Sequence, residues 1–185
     1  MITIVFAHPW HGSFNHAILD AITHKLDKEE LRYQIIDLSA EKFNPAMTTD
    51  DLRLYSKGET TDPLVQKYKK MLQHTDELIF IFPIWWGMLP ASLKGFFDKV
   101  LLRGSAFNYD NNGNMIPGLK ISRSLIITTS QGETEIYRSF MEGYLIPYLL
   151  NAVGICGNEW HNCQYTSHGP QSNREDFLKR IVELV

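Results

Sequence analysis

The stretch Phe82-Pro83-Ile84-Trp85-Trp86-Gly87-Met88-Leu89-Pro90, continuing into Ala91-Ser92-Leu93-Lys94-Gly95-Phe96-Phe97-Asp98-Lys99-Val100, decides the fold. Before it, Leu78 to Phe82 form a short apolar run bounded by Asp76-Glu77 and Pro83. That suits a parallel strand covered on both faces. After it, Leu93, Phe96, Phe97, Val100 and Leu101 recur at i, i+3, i+4, i+7 and i+8, the rhythm of a helix with one apolar face. Two tryptophans lie between, bracketed by Pro83 and Pro90, whose rings stiffen the loop and hold it ready for a flat ligand. The same residues also read as a core strand followed by two packing indoles.

Working outward, apolar strand-like runs alternate with helical stripes. Strands are expected near 2–7, 31–38, 77–83, 123–130 and 155–166, and helices near 14–27, 62–75, 91–102, 134–151 and 171–184. Phe14, Ile18, Ala21, Ile22 and Leu26 make the first stripe; Leu64, Val65, Tyr68, Met71 and Leu72 make the second. Pro147 is expected to kink or divide the fourth helix. Five such units predict one α/β domain spanning 1–185: a flavodoxin-like, doubly wound, five-stranded parallel sheet of order 2-1-3-4-5, with helices on both faces. Ligands of such sheets sit beyond the carboxyl ends of the strands, at the switch point between strands 1 and 3. Two segments interrupt the alternation. Ser39 to Thr61 has no clear period, although Thr49-Asp50-Asp51-Leu52 suits the cap of a short helix through Tyr55. Ser105 to Gly118 carries the turn signal Asn111-Asn112-Gly113-Asn114.

The loop after the first strand, Ala7-His8-Pro9-Trp10-His11-Gly12-Ser13-Phe14-Asn15, has no glycine-rich nucleotide fingerprint. It nevertheless opens into a helix N-terminus, where free amides and a partial positive charge attract phosphate. Ser13 is expected to cap that helix, Asn15 to add an amide, and His8 to donate a ring N–H. An ordinary capped turn with a loop histidine reads equally well there. The fourth strand ends Thr128-Thr129-Ser130-Gln131-Gly132-Glu133, hydroxyls and a glycine suited to hydrogen-bonding a heteroaromatic edge. The charged Glu59, Asp62, Asp98 and Lys67-Tyr68-Lys69-Lys70 read as solvated faces.

The Pro83-x-x-Trp86 loop, the Leu93-Lys94-Gly95-Phe96 helix and the His8 to Ser13-Phe14-Asn15 spacing together resemble the flavodoxin-like NAD(P)H:quinone oxidoreductases, the DT-diaphorase-type enzymes and their short bacterial members. The resemblance runs from His8 to the last helix. It implies a flavin whose ring lies against Pro83, Ile84, Trp85 and Trp86, with its phosphate held by His8, Ser13, Phe14 and Asn15. The polar edge of that ring would meet Thr129, Ser130, Gln131 and Gly132, where the family usually carries Thr-Thr-Gly-Gly; Ser130-Gln131 is a departure, since Ser and Gln tolerate positive φ less well than Gly. Tyr137 stands about one residue from the family's catalytic tyrosine, and the histidine that pairs with it there has no counterpart between Tyr137 and His161. The implied activity is ping-pong hydride transfer from NAD(P)H through the flavin to a quinone-like acceptor, in a homodimer with the site at the subunit boundary. The phosphate loop favours FAD, and the short C-terminus leaves FMN open. Short relatives also serve as ancillary subunits of potassium-efflux transporters, and a flavodoxin-like electron carrier is the remaining alternative.

Composition bounds these readings. The chain has 185 residues, 44% hydrophobic and 21% charged, as ordinary globular proteins do, and a formal charge of −3. That charge gives no footprint for nucleic acid. No apolar run reaches the ~20 residues of a membrane span, and no secretory signal opens the chain. The cysteines are Cys156 and Cys163. On one strand they would stand ~23 Å apart, beyond disulfide reach. Free thiols in the cytoplasm are therefore expected.

Overall fold

Seven strands form in the computed structural model of residues 1–185. They are β1 (Ile2–Phe6), β2 (Tyr33–Asp37), β3 (Glu77–Pro83), the short β4 (Phe107–Tyr109) and β5 (Met115–Pro117), β6 (Arg123–Thr129) and β7 (Asn158–Cys163). Five pair in one parallel sheet of order β2-β1-β3-β6-β7, while β4 and β5 make an antiparallel hairpin around the Asn-rich turn. Counting the sheet's strands alone, this is the 2-1-3-4-5 order expected from the sequence. β1 sits between β2 and β3, with Ile2 opposite both Tyr33 and Glu77, so chain order reverses beside it.

The helices are α1 (Phe14–Lys28), α2 (Thr49–Tyr55), α3 (Pro63–Gln73), α4 (Ala91–Val100), α5 (Thr134–Phe140), α6 (Asn151–Val153) and α7 (Gln171–Val182). Between α5 and α6 the coil continues as a π-helix over Met141–Leu150. Pro147 lies inside it and has no N–H to donate, so the wider winding accommodates it where an α-helix would break. The helices cover both faces of the sheet. Val5, Phe80, Phe82 and Ile126 pack with Tyr68, Leu93, Phe96 and Met141 on one side; Ile4, Phe6, Ile79 and Ile127 pack with Ile18, Ile22, Phe177 and Ile181 on the other. Each such side chain contributes roughly 1.5–3 kcal/mol on burial. β3 is buried from Leu78 to Pro83, because apolar groups meet it from above and below.

Three expectations need correction. The last strand is only Asn158–Cys163, not 155–166: Gly157 turns at φ +57, Tyr165 leaves at φ +52, and Ile155 makes only an isolated bridge to Ile121. Cys156 therefore lies before the strand; it is exposed, Cys163 is buried, and both are free thiols. The segment after Ser39 does hold the short helix through Tyr55, but its cap is Thr48, in a reciprocal capping box with Asp51. Asp62 is not a solvated charge. Its Oδ1 caps α3 through the Leu64 and Val65 amides, and its Oδ2 accepts from Lys99 Nζ at 3.0 Å. No helix is long and apolar enough to cross a membrane.

Candidate active site

The carboxyl ends of β1, β3 and β6 are stitched together. Ala7 N donates to Ile81 O at 3.0 Å, Ile84 N to Thr129 O at 2.8 Å, and Asn15 Nδ2 to Thr129 Oγ1 at 2.8 Å. A cavity of about 480 Å³ opens over this junction, on the side where the strand order reverses. His8, Trp10 and Gly12 to Asn15 line it from the first loop, Pro83 and Trp85 from the second, and Thr129 and Gln131 from the third. A second cleft of about 520 Å³ lies between β7 and α7, apart from these three loops.

The first wall is built around the N-terminus of α1. Ser13 has extended backbone, and its hydroxyl accepts the His16 amide at 3.1 Å, capping α1 as expected. The first amides of a helix have no intrahelical acceptor, and here they belong to Phe14 and Asn15, both on the cavity. No acidic side chain occupies that first turn. His8 Nδ1 accepts the Trp10 amide at 3.1 Å, which leaves the neutral ring's proton on Nε2 as a donor. Burial pushes the His8 pKa down and proximity to His16 adds to this. Asn15 is buried, and its Oδ1 has no hydrogen-bond partner. A buried acceptor left unmet costs about 1–3 kcal/mol, and this one belongs to a residue that lines the cavity. A Cβ on Gly12 would collide with the exposed Trp10 indole, so a larger residue there must displace that ring.

The second wall departs from its expected form. Trp85 and Met88 exchange both backbone hydrogen bonds, at 3.1 and 3.0 Å, and Trp86 and Gly87 between them take φ +52 and +75. This is a two-residue turn with both central residues left-handed. It sends Trp85 to the cavity, edge-on to His8 with ring centroids 5.7 Å apart, and throws Trp86 outward, 103% exposed. Ile84 is buried behind the wall.

In the third wall neither Ser130 nor Gln131 takes positive φ, so the missing glycines cost no strain. Ser130 extends the pairing with β7, its amide donating to Cys163 O at 2.9 Å, while Thr129 and Gln131 face the cavity. Gly132 lies behind them, and Tyr137 lies outside the cavity: a Cβ on Gly132 would stand 2.7 Å from the Tyr137 hydroxyl.

Sequence reading missed a fourth wall. Thr166, Ser167 and Arg174 also line the cavity. Thr166 N donates to Ser130 O at 3.0 Å, Ser167 Oγ to Gln131 Oε1 at 2.6 Å, and Arg174 Nη1 to Thr166 O at 2.8 Å. Nothing periodic marks these residues. Only the return of the chain past β7 brings them to the site.

Residues 1–184 match a family model described by its flavodoxin-like fold. An uncharacterized NAD(P)H oxidoreductase of Escherichia coli, YcaK, is 30% identical, with 90% of this chain and 91% of that protein aligned. The chain belongs to the flavodoxin-like NAD(P)H:quinone oxidoreductase family. The mouse ribosyldihydronicotinamide dehydrogenase [quinone] is also 30% identical, over 84% of this chain and 76% of its own length. Among solved structures, the NAD(P)H:quinone oxidoreductase from Methanothermobacter marburgensis superposes with a TM-score of 0.84. It is 26% identical and covers 98% of this chain and 95% of that one. Three of the four cavity walls lie at the carboxyl ends of the sheet's first, third and fourth strands.

Proposed function

We propose that this chain is a flavin-dependent oxidoreductase that takes electrons from NAD(P)H and delivers them to quinones or similar flat acceptors by a ping-pong exchange. The observation that carries the reading is one cavity with two chemically different ends: amides, a neutral histidine and an unpartnered buried carbonyl at the helix N-terminus, and an indole with strand-end hydroxyls beside it. When bound, the flavin supplies two-electron hydride chemistry that no side chain here can perform.

The residues have separable tasks. His8 Nε2–H and the Phe14 and Asn15 amides hold phosphate, and Asn15 Oδ1 accepts from a hydroxyl, as a sugar-alcohol chain offers. Pro83 and Trp85 form a flat apolar wall, with Ile84 packed behind it. Thr129 and Gln131 meet the polar edge of the ring, backed by Ser130 and Gly132. Tyr137, held against Gly132, is the candidate for stabilising negative charge on the ring. FAD is favoured over FMN, because Ser167 and Arg174 line the same cavity as the helix N-terminus, and a guanidinium suits a second phosphate.

A homodimer is part of the proposal. Trp86 projects outward with no cover, and Ile136, Tyr144 and Tyr148 are also widely exposed, in keeping with a second copy closing the site. Two free thiols suit a reducing compartment, and the cytoplasm is the proposed location.

A visible spectrum of purified protein, recorded before and after NADPH and then menadione, tests the reading. A flavin band that bleaches and returns without any partner protein supports the enzyme and excludes the pure carrier and the purely regulatory subunit. Chromatography of the released flavin separates FAD from FMN. Failure to bind either after reconstitution overturns the proposal.

A further inference from the structure

Behind the third wall runs a chain of side-chain hydrogen bonds whose direction is set from one end. Trp160 Nε1 can only donate, and it donates to Thr128 Oγ1 at 2.9 Å. The Thr128 hydroxyl gives its own proton onward to Asn162 at 2.9 Å, the nearer of two acceptors, His161 O standing at 3.5 Å, so the Asn162 atom that meets it is the carbonyl oxygen. The Asn162 amide nitrogen consequently faces the other way and donates both protons, to Ser130 Oγ and to Thr134 Oγ1, each at 3.0 Å. Ser130 passes its proton to Gly132 O at 2.8 Å, and Thr134 passes its proton to Gln164 Oε1 at 3.2 Å. Thr128 and Ser130 are 0% and 2% exposed. Every hydroxyl in the chain has both a donor and an acceptor, the condition under which a buried polar network rigidifies its surroundings.

The alternation of a strand gives this network its purpose. Residues 128 and 130 point back into it, so residues 129 and 131 are presented to the cavity. Asn162 is the branch point. No other side chain in the network touches both the strand through Thr128 and the turn beyond it through Ser130 and Thr134. Its half-buried side chain lines the second cleft, between β7 and α7, and not this cavity.

We propose that Asn162 is the positioning residue of the cofactor site, fixing Thr129 to Gly132 from behind and thereby setting flavin affinity and flavin potential. This rests on the flavin reading above. Asn162→Asp is the informative variant. A carboxylate still accepts from Thr128 but cannot donate; the Ser130 and Thr134 hydroxyls turn toward it and release Gly132 O and Gln164. Protonating that carboxyl restores one donor.

The experiment titrates FAD and FMN into wild type, Asn162→Asp and Ser130→Ala, follows flavin fluorescence at several pH values, and measures the midpoint potential of each holoprotein. Asn162→Asp is expected to bind flavin at least tenfold more weakly at neutral pH, with a shifted potential. Relative to wild type at the same pH, its affinity recovers as pH falls. Urea melts at each pH separate this from a merely structural role, in which affinity recovers only in step with stability. Ser130→Ala, a small change that removes one of the two branches and leaves the Thr134 branch intact, is expected to move affinity in the same direction by less, and it carries the test if Asn162→Asp does not fold. Variants that match wild type within twofold and share its potential overturn the inference alone. A wild type that takes up neither flavin overturns the flavin reading, and this inference with it.

Discussion

Replacing Lys99 by Met tests how the long excursion between β2 and α3 is held. Lys99 lies in the last turn of α4 with its side chain 3% exposed. Its ammonium donates to Asn44 O at 3.1 Å and Asp62 Oδ2 at 3.0 Å, pairs with Asp51 Oδ2 at 3.5 Å, and stands 5.5 Å from the Phe43 ring centroid. Both carboxylates are also helix caps, Asp51 in the capping box of α2 and Asp62 at the start of α3. One buried cation therefore binds two helix N-termini to α4. Breaking a buried pair on one side costs about 3–5 kcal/mol; the carboxylates here keep some contact with water, 13% and 22% exposed, so about 2–4 kcal/mol is expected. For a chain of this size that lowers Tm by roughly 4–16 °C. Thermal and urea denaturation measure it, and limited proteolysis should show residues 39–62 becoming the first site of cleavage. Adding Asp62→Asn, which removes one stranded charge while keeping a capping oxygen, should recover part of the loss. The pH dependence has a fixed sign. Burial pushes the Asp51 carboxyl up, but the Thr48 amide and hydroxyl and the Lys99 ammonium outweigh it and hold it below the usual carboxylate range. The clamp is thus fully present above pH ~4 and lost as pH falls through the lowered folded value. A Lys99→Met protein within 0.5 kcal/mol of wild type at pH 7 would refute the reasoning.

Three further perturbations probe other joints. Gly95→Ala places a methyl group against the Pro45 carbonyl and ring, and overpacking of this kind costs about 1–3 kcal/mol, read from the shift in urea midpoint; an unchanged midpoint would mean that Pro45 yields freely. Burial lowers the pKa of both His8 and His161, so their share of stability is complete above pH ~6.5 and declines as pH falls through their folded values. His8→Gln should flatten that decline in a pH series of urea melts, and a slope identical to wild type counts against it. Trp86→Asn puts a residue tolerant of left-handed backbone into the turn, leaving the single chain as stable or up to about 1 kcal/mol more so, while sedimentation velocity shows a weaker dimer. An unaltered dimer would leave the exposed indole without a partner.

Much of this was readable from local pattern. β3 and α4 announce themselves by burial on both faces and by the spacing of Leu93, Phe96 and Phe97, and Ser13 is a cap wherever a helix begins at Phe14. What escaped is what depends on distant partners. Asp62 looks like a solvated charge until Lys99 of α4 arrives to meet it. Arg174 carries no local mark and joins the cavity only because α7 packs beside α1. Trp85 and Trp86 are chemically identical in the sequence, and only the left-handed turn sends one to the cavity and the other to solvent. Ser130-Gln131 reads as a defect when judged against glycines. It ceases to be one because β7 lends Ser130 a strand partner and Asn162 a donor.

The same long-range logic joins two segments that the sequence presents as separate. The aromatic loop leads straight into α4, and α4 is fastened to residues 43–62 twice, by close packing of Gly95 on Pro45 and by the Lys99 ion cluster. An aperiodic excursion is therefore part of the mounting of the aromatic wall. Loosening it at Lys99 should also disturb Trp85. The Lys99→Met protein is expected to show, besides lower stability, a weaker flavin affinity at temperatures well below its own Tm, measured by the same fluorescence titration. If affinity there equals wild type while stability has fallen, the excursion and the wall are mechanically independent, and α4 is anchored by its core face alone.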